Sequence, residues 1–322
     1  MNPILSIIIP VYNVENYVEH CITSCLKQNI LISEYEIIIV NDGSTDNSLF
    51  IAEKTATGHP NIKIISQCNK GLSMARNKGL SLAQGDYIWF VDSDDYIEEN
   101  CLKQIIETCK KGYDVISVGW GFCYETGITI PRLRKNIKIN NGWDLLKNLQ
   151  QMGAQFYIYN KNFLRKNHLE FYPDIYHEDN EFTPRMLYFA QSATYINQVV
   201  YHYLVRESGS ILSTPNKKKA YDLLFIANRT VEFAKQHVHP EMKYIFYRLA
   251  GIAINNSVKN IIQHSAKEQD IFYSKFKASK KNILYLFYSK YKPYIIESII
   301  SFCSISLAFK LIKIWERKRN NM

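Results

Sequence analysis

An apolar run that ends in three carboxylates constrains the fold of this chain most strongly. Residues Tyr87–Val91 have the uniformly apolar pattern of a strand buried on both faces, and Asp92, Asp94 and Asp95 follow within four positions. Carboxylates this close repel one another, which raises their pKa values in a site without counter-ions. A divalent cation removes this cost, because Mg²⁺ and Mn²⁺ prefer carboxylate oxygens and also bind phosphate oxygens. An acidic turn after a strand is the simpler interpretation of the three residues taken alone.

Two earlier apolar runs have the same design. Leu5–Ile9 leads toward a polar loop that begins near Tyr12, and Tyr35–Val40 ends in a polar loop that contains Asp42. Helical patterns lie between these runs, and alternation of this kind predicts an α/β fold with a mostly parallel sheet. Ligands of such sheets bind at the carboxyl ends of the strands. Tyr12, Asp42 and the three carboxylates are therefore predicted to meet at one edge of the sheet.

Composition narrows the class of protein and its partners. The chain of 322 residues is 47% apolar and 21% charged, which is typical of a globular protein large enough for a substantial core. Seven cysteines without a Cys-x-x-Cys pair do not indicate a disulfide framework, and a reducing cytoplasm fits them best. The N-terminus lacks the basic flank and cleavage site of a signal peptide. A net charge of +9 favours anionic partners, but no helix-turn-helix or zinc-finger spacing indicates nucleic acid.

The pattern changes along the chain and predicts two domains. The alternating α/β pattern continues to about residue 117, and a shorter, aromatic-rich mixed segment follows up to about residue 206. From Pro215 onward the pattern is helical and rich in lysine. We therefore predict a catalytic domain at residues 1–214 and a helical, basic region at residues 215–322.

Five segments of the sequence together resemble a known family. They are Ser6–Asn13, Asn41–Asp46, Asn69–Gly79, Asp92–Asp95 and His177–Phe182. In this order and spacing they resemble the family 2 glycosyltransferases of the GT-A fold, over about the first two-thirds of the chain. The resemblance implies an α/β fold with a mostly parallel sheet flanked by helices, here with a helical C-terminal appendage. It also implies inverting transfer of a sugar from a nucleoside-diphosphate sugar.

The resemblance assigns four residues to the nucleotide end of the donor. Asp42 resembles the acid that accepts a hydrogen bond from the base, as a carboxylate at a strand end can do. A turn or a helix cap is the alternative role for this residue. Tyr12 and the backbone from Pro10 onward would flank the same base, and Arg76 resembles the family arginine near the nucleotide.

The acidic loop resembles the Asp-x-Asp element of the family. The resemblance makes Asp94 the direct ligand of Mn²⁺ or Mg²⁺, with Asp92 nearer the ribose or a metal-bound water. The metal would neutralise the departing diphosphate as a Lewis acid. Asp95 is either a further ligand or a brace of the loop, and these alternatives stay open.

The candidate base lies much later in the chain. Asp179 resembles the carboxylate that takes the proton of the attacking acceptor hydroxyl, with Glu178 as the second choice. Both residues also suit the acidic first turn of a helix, and the two roles are compatible. Arg206 would clamp the diphosphate or an acceptor phosphate. For His202, contact with the metal and simple packing are both open.

The C-terminal sequence predicts contact with a surface. The stretch Ile295–Ile314 is predicted as one apolar helix, followed by Trp315 and the basic residues 317–319, and it is too interrupted by charge to span a bilayer. An interfacial membrane helix fits this pattern, and packing on the protein or on a second copy is the alternative. We expect a cytoplasmic protein, peripheral on the inner face of the plasma membrane.

These expectations converge on one function. The resemblance implies a metal-dependent glycosyltransferase that extends a lipid-linked glycan in capsule or exopolysaccharide biosynthesis. A catalytically inactive sugar-nucleotide-binding subunit of the same fold is the alternative, although the carboxylates at Asp42, Asp92, Asp94 and Asp179 argue against it. A dinucleotide dehydrogenase is excluded, since no Gly-x-Gly-x-x-Gly follows the first strand.

Overall fold

The chain divides into two compact units. The computed structural model describes residues 2–124, 127, 129–134, 138–149, 151–206 and 216–320, without the side chains of 302 and 317–320. One unit, here the sheet unit, consists of Met1–Asp174 and Phe182–Glu207, and the helical unit consists of Ile175–Glu181 and Ser208–Met322. The predicted domain boundary between residues 214 and 215 lies outside the described residues and stays a prediction.

The sheet unit is built on one mixed sheet. Its described strands are β1 (Leu5–Val11), β2 (Tyr35–Asn41), β3 (Ile62–Ser66), β4 (Tyr87–Phe90), β5 (Tyr96–Ile97), β6 (Val115–Tyr124), β7 (Thr129–Arg132), β8 (Tyr157–Asn160) and β9 (Ala193–Val205). They lie in the order β3-β2-β1-β4-β8-β6-β9-β5, and β7 pairs with β6. The strands from β3 to β4 run parallel, while β8 is antiparallel to both of its neighbours.

The parallel half of the sheet follows the apolar runs of the sequence. Strands β1, β2 and β4 are almost wholly buried, as expected of strands covered on both faces. Strand β1 continues through Pro10 to Val11, although proline cannot donate to a ladder. Pro10 is tolerated because β4 pairs with β1 only as far as Ile8, which faces Phe90.

Helices connect the strands of the sheet unit. They are α1 (Val18–Leu26), α2 (Ser48–Ala56), α3 (Leu72–Leu82), α4 (Leu102–Cys109), α5 (Gly142–Lys147), α6 (Lys161–Lys166) and α7 (Glu178–Phe189), whose first turn belongs to the helical unit. Helix α3 lies directly against β1, because a Cβ at Gly79 would meet Ile8 Cγ2 at 2.3 Å. This close approach fixes the position of α3 on the sheet.

The helical unit corrects one prediction from the sequence. Its described α-helices are α8 (Lys217–Gln236), α9 (Lys243–Ile261), α10 (Ala266–Ala278), α11 (Lys280–Leu284), α12 (Lys292–Cys303) and α13 (Ile305–Asn320). The single helix predicted for Ile295–Ile314 is wrong, because Ser304 is extended and ends α12. The Ser304 hydroxyl then accepts a bond from Leu307 N at the start of α13, as a helix cap does. Among the described residues, no helix is long and apolar enough to cross a membrane.

Candidate functional site

The loops after β1 and β2 are tied together at the carboxyl edge of the sheet. Asn13 has a positive φ of 50°, and its side-chain oxygen accepts a bond of 2.8 Å from Thr45 N. The Asn13 N–H donates in turn to the Ser44 hydroxyl. Together these bonds fix the backbone that follows Pro10 and leave the Tyr12 side chain 47% exposed. Tyr12 therefore offers an open aromatic ring beside the end of β1.

Asp42 lies one residue beyond β2 and is buried. Its Oδ1 accepts bonds from the Gln67 side chain at 2.7 Å and from Lys70 N at 2.9 Å, and its Oδ2 accepts one from Gly71 N at 2.8 Å. A carboxylate has about four acceptor positions, so about one is left for a further donor. Asp42 thus anchors the loop that leads into α3.

The acidic loop after β4 is held by a buried arginine. Arg76 of α3 is 1% exposed, and its Nη2 lies 2.7 Å from Asp92 Oδ1. The guanidinium also lies 5.2 Å from the centroid of the Phe171 ring. Arg76 therefore neutralises the charge of Asp92, while part of the Asp92 carboxylate remains accessible to solvent. The structure thus brings together the two residues that the sequence assigned to the nucleotide and the metal.

A second arginine neutralises Asp94. Arg206 Nη2 lies 2.7 Å from Asp94 Oδ2, and the guanidinium lies 5.3 Å from the centroid of the Tyr17 ring. Burial raises the pKa of Asp94 above its usual range, Arg206 opposes this rise, and Asp92 adds to it. If Arg206 moved away, the ionised Asp94 carboxylate would need another cation to stabilise its charge.

Asp95 has a different environment from its two neighbours. It is buried, and its carboxylate accepts bonds from the Tyr201 hydroxyl at 2.6 Å and from Leu204 N at 2.8 Å. Burial, together with the charges of Asp94 and Asp92, raises the pKa of Asp95 well above its usual range. These contacts tie the acidic loop to β9, as the bracing alternative for this residue required.

His202 packs against aromatic and acidic side chains. Its ring stacks on Tyr96 with 4.5 Å between centroids and a 6° angle, and its Nε2 lies 2.7 Å from Glu98 Oε2. Tyr96 and His202 are paired residues of the antiparallel strands β5 and β9. The simple packing considered for His202 accounts for these contacts.

Two long-range contacts help to build the site, and the sequence did not predict which residues they join. Asn77 donates from its side-chain nitrogen to Phe171 O at 2.8 Å, and its side-chain oxygen accepts from Phe171 N at 3.0 Å. This pair holds the ring beneath Arg76. The Tyr201 hydroxyl, bonded to Asp95, also accepts a bond from Asp92 N. No local pattern marks either contact, because the partners are 94 and more than 100 residues apart.

The candidate base residues open helix α7. Glu178 and Asp179 are its first two residues, and Glu181 completes an acidic first turn, which suits the helix dipole. Glu178–Glu181 belong to the helical unit, where Glu181 pairs with Arg229 at 3.0 Å. The predicted start of a helix at these two acids is confirmed, and the predicted role of Asp179 as a base stays a prediction. The stretch from Tyr201 to residue 211 also resembles the segment that closes the site in the family, and its residues 207–211 lie outside the described residues.

The residues that could hold a metal are Asp92 and Asp94. Among the described residues, no three histidine, cysteine or acidic side chains are arranged to hold a metal ion. Mg²⁺ is commonly held by only one or two carboxylates together with substrate phosphates and waters. Both carboxylates already have a cationic partner at 2.7 Å, so the donor set fits a cation that arrives with a diphosphate.

Comparison with known proteins decides the family. Residues 6–172, about half of the chain, match the family model for glycosyl transferase family 2, and they include Tyr12, Asp42, Arg76 and the acidic loop. The chain belongs to this family. It is therefore a glycosyltransferase, and the resemblance found in its sequence is confirmed.

Individual relatives agree with this assignment. The chain is 34% identical over 264 residues to the glycosyltransferase EpsJ of Bacillus subtilis, covering 79% of this chain and 72% of EpsJ. A segment of 109 residues is 42% identical to chondroitin synthase of Pasteurella multocida, a third of this chain but only 11% of that protein. The relatives thus include polysaccharide synthases.

A solved structure confirms the predicted GT-A fold. The S. aureus TarS 1–349 structure in complex with UDP-GlcNAc has a TM-score of 0.81 at 20% identity, covering 99% of this chain and 92% of TarS 1–349. At this level of identity the likeness concerns the fold alone. The helical region that follows the sheet unit is included in the match.

Proposed function

We propose that this glycosyltransferase inverts the configuration of a sugar that it takes from a nucleoside-diphosphate sugar. The observation that carries the proposal is the pair of arginine-neutralised carboxylates, Asp92 and Asp94, at the carboxyl edge of the sheet. The buried Arg76 and the partly buried Arg206, each next to a partly exposed carboxylate, form a site with both signs of charge. A diphosphate with a divalent cation has the same two signs and can exchange with these pairs.

The donor would bind along the edge of the sheet. The exposed ring of Tyr12 and the backbone after Pro10 would flank the base, and the remaining acceptor position of Asp42 would receive a base N–H. Arg76 would hold Asp92 in place beside the nucleotide, and Arg206 would move from Asp94 to the diphosphate. Asp94, with Asp92, would hold Mg²⁺ or Mn²⁺, which supplies charge stabilisation for the leaving diphosphate.

Asp179 is the proposed general base. An inverting reaction needs a carboxylate that accepts the proton of the acceptor hydroxyl as that oxygen attacks the sugar carbon. Asp179 lies in the first turn of a helix, where the backbone holds a side chain in place and the helix dipole favours negative charge. Glu178 is the second candidate for the same role.

The acceptor is proposed to be a lipid-linked glycan in surface polysaccharide synthesis. Helices α12 and α13 support this choice, because five of their apolar residues are 40–56% exposed, although others such as Phe309 and Ile312 are buried: the exposed ones are Ile296, Ile299, Leu307, Leu311 and Ile314. On the same helices Ser298, Ser301 and Glu316 are buried. These exposed apolar residues, with Lys292 and Lys310 exposed among them, suit the surface of an anionic bilayer at the inner face of the plasma membrane.

The first experiment tests the donor site. Wild type is screened for hydrolysis of UDP-, GDP- and dTDP-sugars with Mn²⁺ or Mg²⁺, with and without excess chelator. We expect one nucleotide to be preferred, and we expect Asp94→Ala to abolish hydrolysis while the folded state remains. Full activity of wild type in excess chelator would contradict the proposed dependence on a metal. Binding of a donor without any turnover, on acceptor or water, would instead favour the inactive binding subunit.

The second experiment tests the membrane surface. Wild type and a variant with Ile296→Ser, Ile299→Ser and Leu311→Ser are sedimented with vesicles of phosphatidylglycerol or of phosphatidylcholine alone. We expect wild type to bind the anionic vesicles and the variant to lose most of this binding, while both hydrolyse the donor equally. If wild type binds neither kind of vesicle but forms a dimer that the variant cannot form, a second copy of the chain covers this face.

A further inference from the structure

One face of the sheet unit carries a row of aromatic side chains beside the acidic loop. In the parallel pair of β6 and β9, Trp120 is registered with Tyr201 and Phe122 with Tyr203. Residues two apart on a strand lie on the same face, so these four side chains share one face of the sheet. Tyr201 is the residue whose hydroxyl binds Asp95. The row therefore begins directly beneath the acidic loop.

Three members of this row, Trp120, Phe122 and Tyr203, form the surface that we call the aromatic face. The centroid distances are 4.8 Å between Trp120 and Phe122 and 5.8 Å between Phe122 and Tyr203, both with edge-to-face geometry. The Trp120 ring is supported from behind by Phe156, with 4.4 Å between centroids. Phe122 and Tyr203 are half-buried, so each keeps part of its ring accessible. Edge-to-face packing fixes the rings in place.

Two polar atoms of the aromatic face have no hydrogen-bond partner among the described residues. Trp120 is only 7% exposed, and its indole N–H makes no hydrogen bond to any described residue. The Tyr203 hydroxyl likewise makes no hydrogen bond within the described part of the chain. Buried indole N–H groups normally find an acceptor. The Tyr203 hydroxyl is thus available to a ligand that carries hydroxyl groups, whereas the indole N–H is buried in this structure.

The aromatic face is electrostatically coupled to the candidate donor site. The pKa of Tyr203 is raised to about 12 by burial and then by the charges of Asp95 and Asp94, whereas Arg206 opposes the rise. These effects need the phenol to lie close to the acidic loop. At the other end of the face, the exposed Arg132 guanidinium of β7 lies 5.1 Å from the Phe122 ring centroid. The face therefore runs from the acidic loop toward solvent.

We propose that the aromatic face binds a sugar ring of the acceptor glycan, which deepens the proposed function and rests on it. The apolar C–H face of a pyranose packs on aromatic rings, and its hydroxyls exchange hydrogen bonds with the Tyr203 hydroxyl. Few rigid aromatics with a small number of polar groups are typical of such sites. A nucleotide base is the less suitable occupant, because Tyr12 already offers it a ring at the end of β1.

The variants remove one feature of the aromatic face at a time. Tyr203→Phe deletes the hydroxyl and keeps the ring, and Phe122→Leu deletes the flat surface but keeps apolar volume. The control is Phe50→Ala on α2, which removes an aromatic ring that is 67% exposed and lies outside the site. Melting temperatures and circular dichroism establish that each variant is folded before its binding is compared.

The binding experiment uses defined saccharides on the full-length protein. Saturation-transfer difference NMR gives the Kd for a chondroitin tetrasaccharide, chitotetraose and maltotetraose, with UDP, GDP and dTDP titrated separately. We expect wild type to bind at least one saccharide in the millimolar range, and we expect Phe122→Leu and Tyr203→Phe to raise that Kd about 3- to 10-fold, as loss of one stacking contact or one neutral hydrogen bond does. The Kd of the nucleotide and the behaviour of Phe50→Ala should not change.

The outcomes separate the subsite from the function beneath it. Wild type that binds a nucleotide but none of the saccharides overturns the subsite, and so does unchanged saccharide binding in both aromatic variants. Wild type that binds a saccharide through the aromatic face but no nucleotide in the presence of Mn²⁺ contradicts the proposed donor reaction instead. Equal weakening by Phe50→Ala would show that the saccharide contacts the surface without selecting this face.

Discussion

Two carboxylates of the sheet unit and one serine of the helical unit show two ways in which this glycosyltransferase buries a polar group. In the sheet unit, Asp42 and Asp95 are buried, and each carboxylate accepts at least two hydrogen bonds from fixed donors. In the helical unit, Ser301 is buried with an Oγ that has no partner in the described residues, while Ile299 of the same helix is 50% exposed. The bonded carboxylates fix the geometry of their loops. The helix of Ser301 instead buries a polar group without a bond and exposes an apolar one.

The candidate functional residues are likewise distributed between the two units. The candidate donor groups, from Tyr12 to Arg206, lie in the sheet unit, where hydrogen bonds and ion pairs hold them to one another. The candidate base and the outward-facing apolar residues lie in the helical unit. We therefore expect changes in the sheet unit to affect donor binding, and changes in the helical unit to affect chemistry and attachment.

The largest predicted effect tests this division at the candidate base. Asp179→Asn should lower turnover about 10²- to 10⁴-fold, the usual contribution of a positioned acid–base group. The affinity for the donor, measured by titration with the nucleotide sugar and Mn²⁺, should stay within a factor of about two to three, because the amide keeps the shape of the carboxylate.

Glu178→Gln is the matched control for Asp179→Asn, since the two acids are adjacent in the first turn of α7. A large loss in Glu178→Gln with normal turnover in Asp179→Asn would move the base by one residue. Normal turnover in both variants would show that neither acid is the base. Loss of donor affinity in Asp179→Asn would break the proposed division between the two units.

The sequence predicts local features of the sheet unit well and long-range contacts poorly. The carboxyl edge was predictable because strands β1, β2 and β4 are uninterrupted apolar runs that end in polar residues, and parallel order follows from the intervening helices. The bonds from Asn77 to Phe171 and from Tyr201 to Asp95 have no local signature, because each is created by the folded sheet. In the helical unit, the break at Ser304 depends on one hydroxyl within an apolar stretch, which hydrophobic periodicity does not detect.

An intermediate effect on stability contrasts the two units directly. Asn77→Ala removes both bonds to the buried Phe171 backbone and should lower the free energy of unfolding by about 2–3 kcal/mol, because a polar group left unsatisfied costs about 1–3 kcal/mol. Ser301→Ala removes a buried hydroxyl that has no partner in the described residues, so it should leave stability unchanged or raise it by about 1 kcal/mol. Urea unfolding of both variants measures the two values. A loss in Ser301→Ala as large as that in Asn77→Ala would contradict the contrast.

The smallest predicted effect is the pH dependence of the helical unit. Burial raises the pKa of Glu297 to about 7, the charge of Glu316 adds to the rise, and a bond from the Asn255 side chain opposes it. The protonated carboxyl is therefore favoured in the folded state, and its stabilising contribution is fully present below the ordinary pKa of about 4.5. It is lost as the pH rises through about 7, so wild type should become less stable between pH 5 and pH 8.

Glu297→Gln isolates this contribution, because the amide stays neutral at every pH and has nearly the same shape. The free energy of unfolding of wild type relative to Glu297→Gln should fall by about 1–2 kcal/mol between pH 5 and pH 8, the order expected for a partly exposed group whose pKa is raised by more than one unit. Measurement of both proteins by urea unfolding at four pH values cancels the titration of groups that they share. Parallel stability curves would show that Glu297 is ionised throughout, and a difference of opposite sign would mean that its charge is stabilised in the folded helical unit.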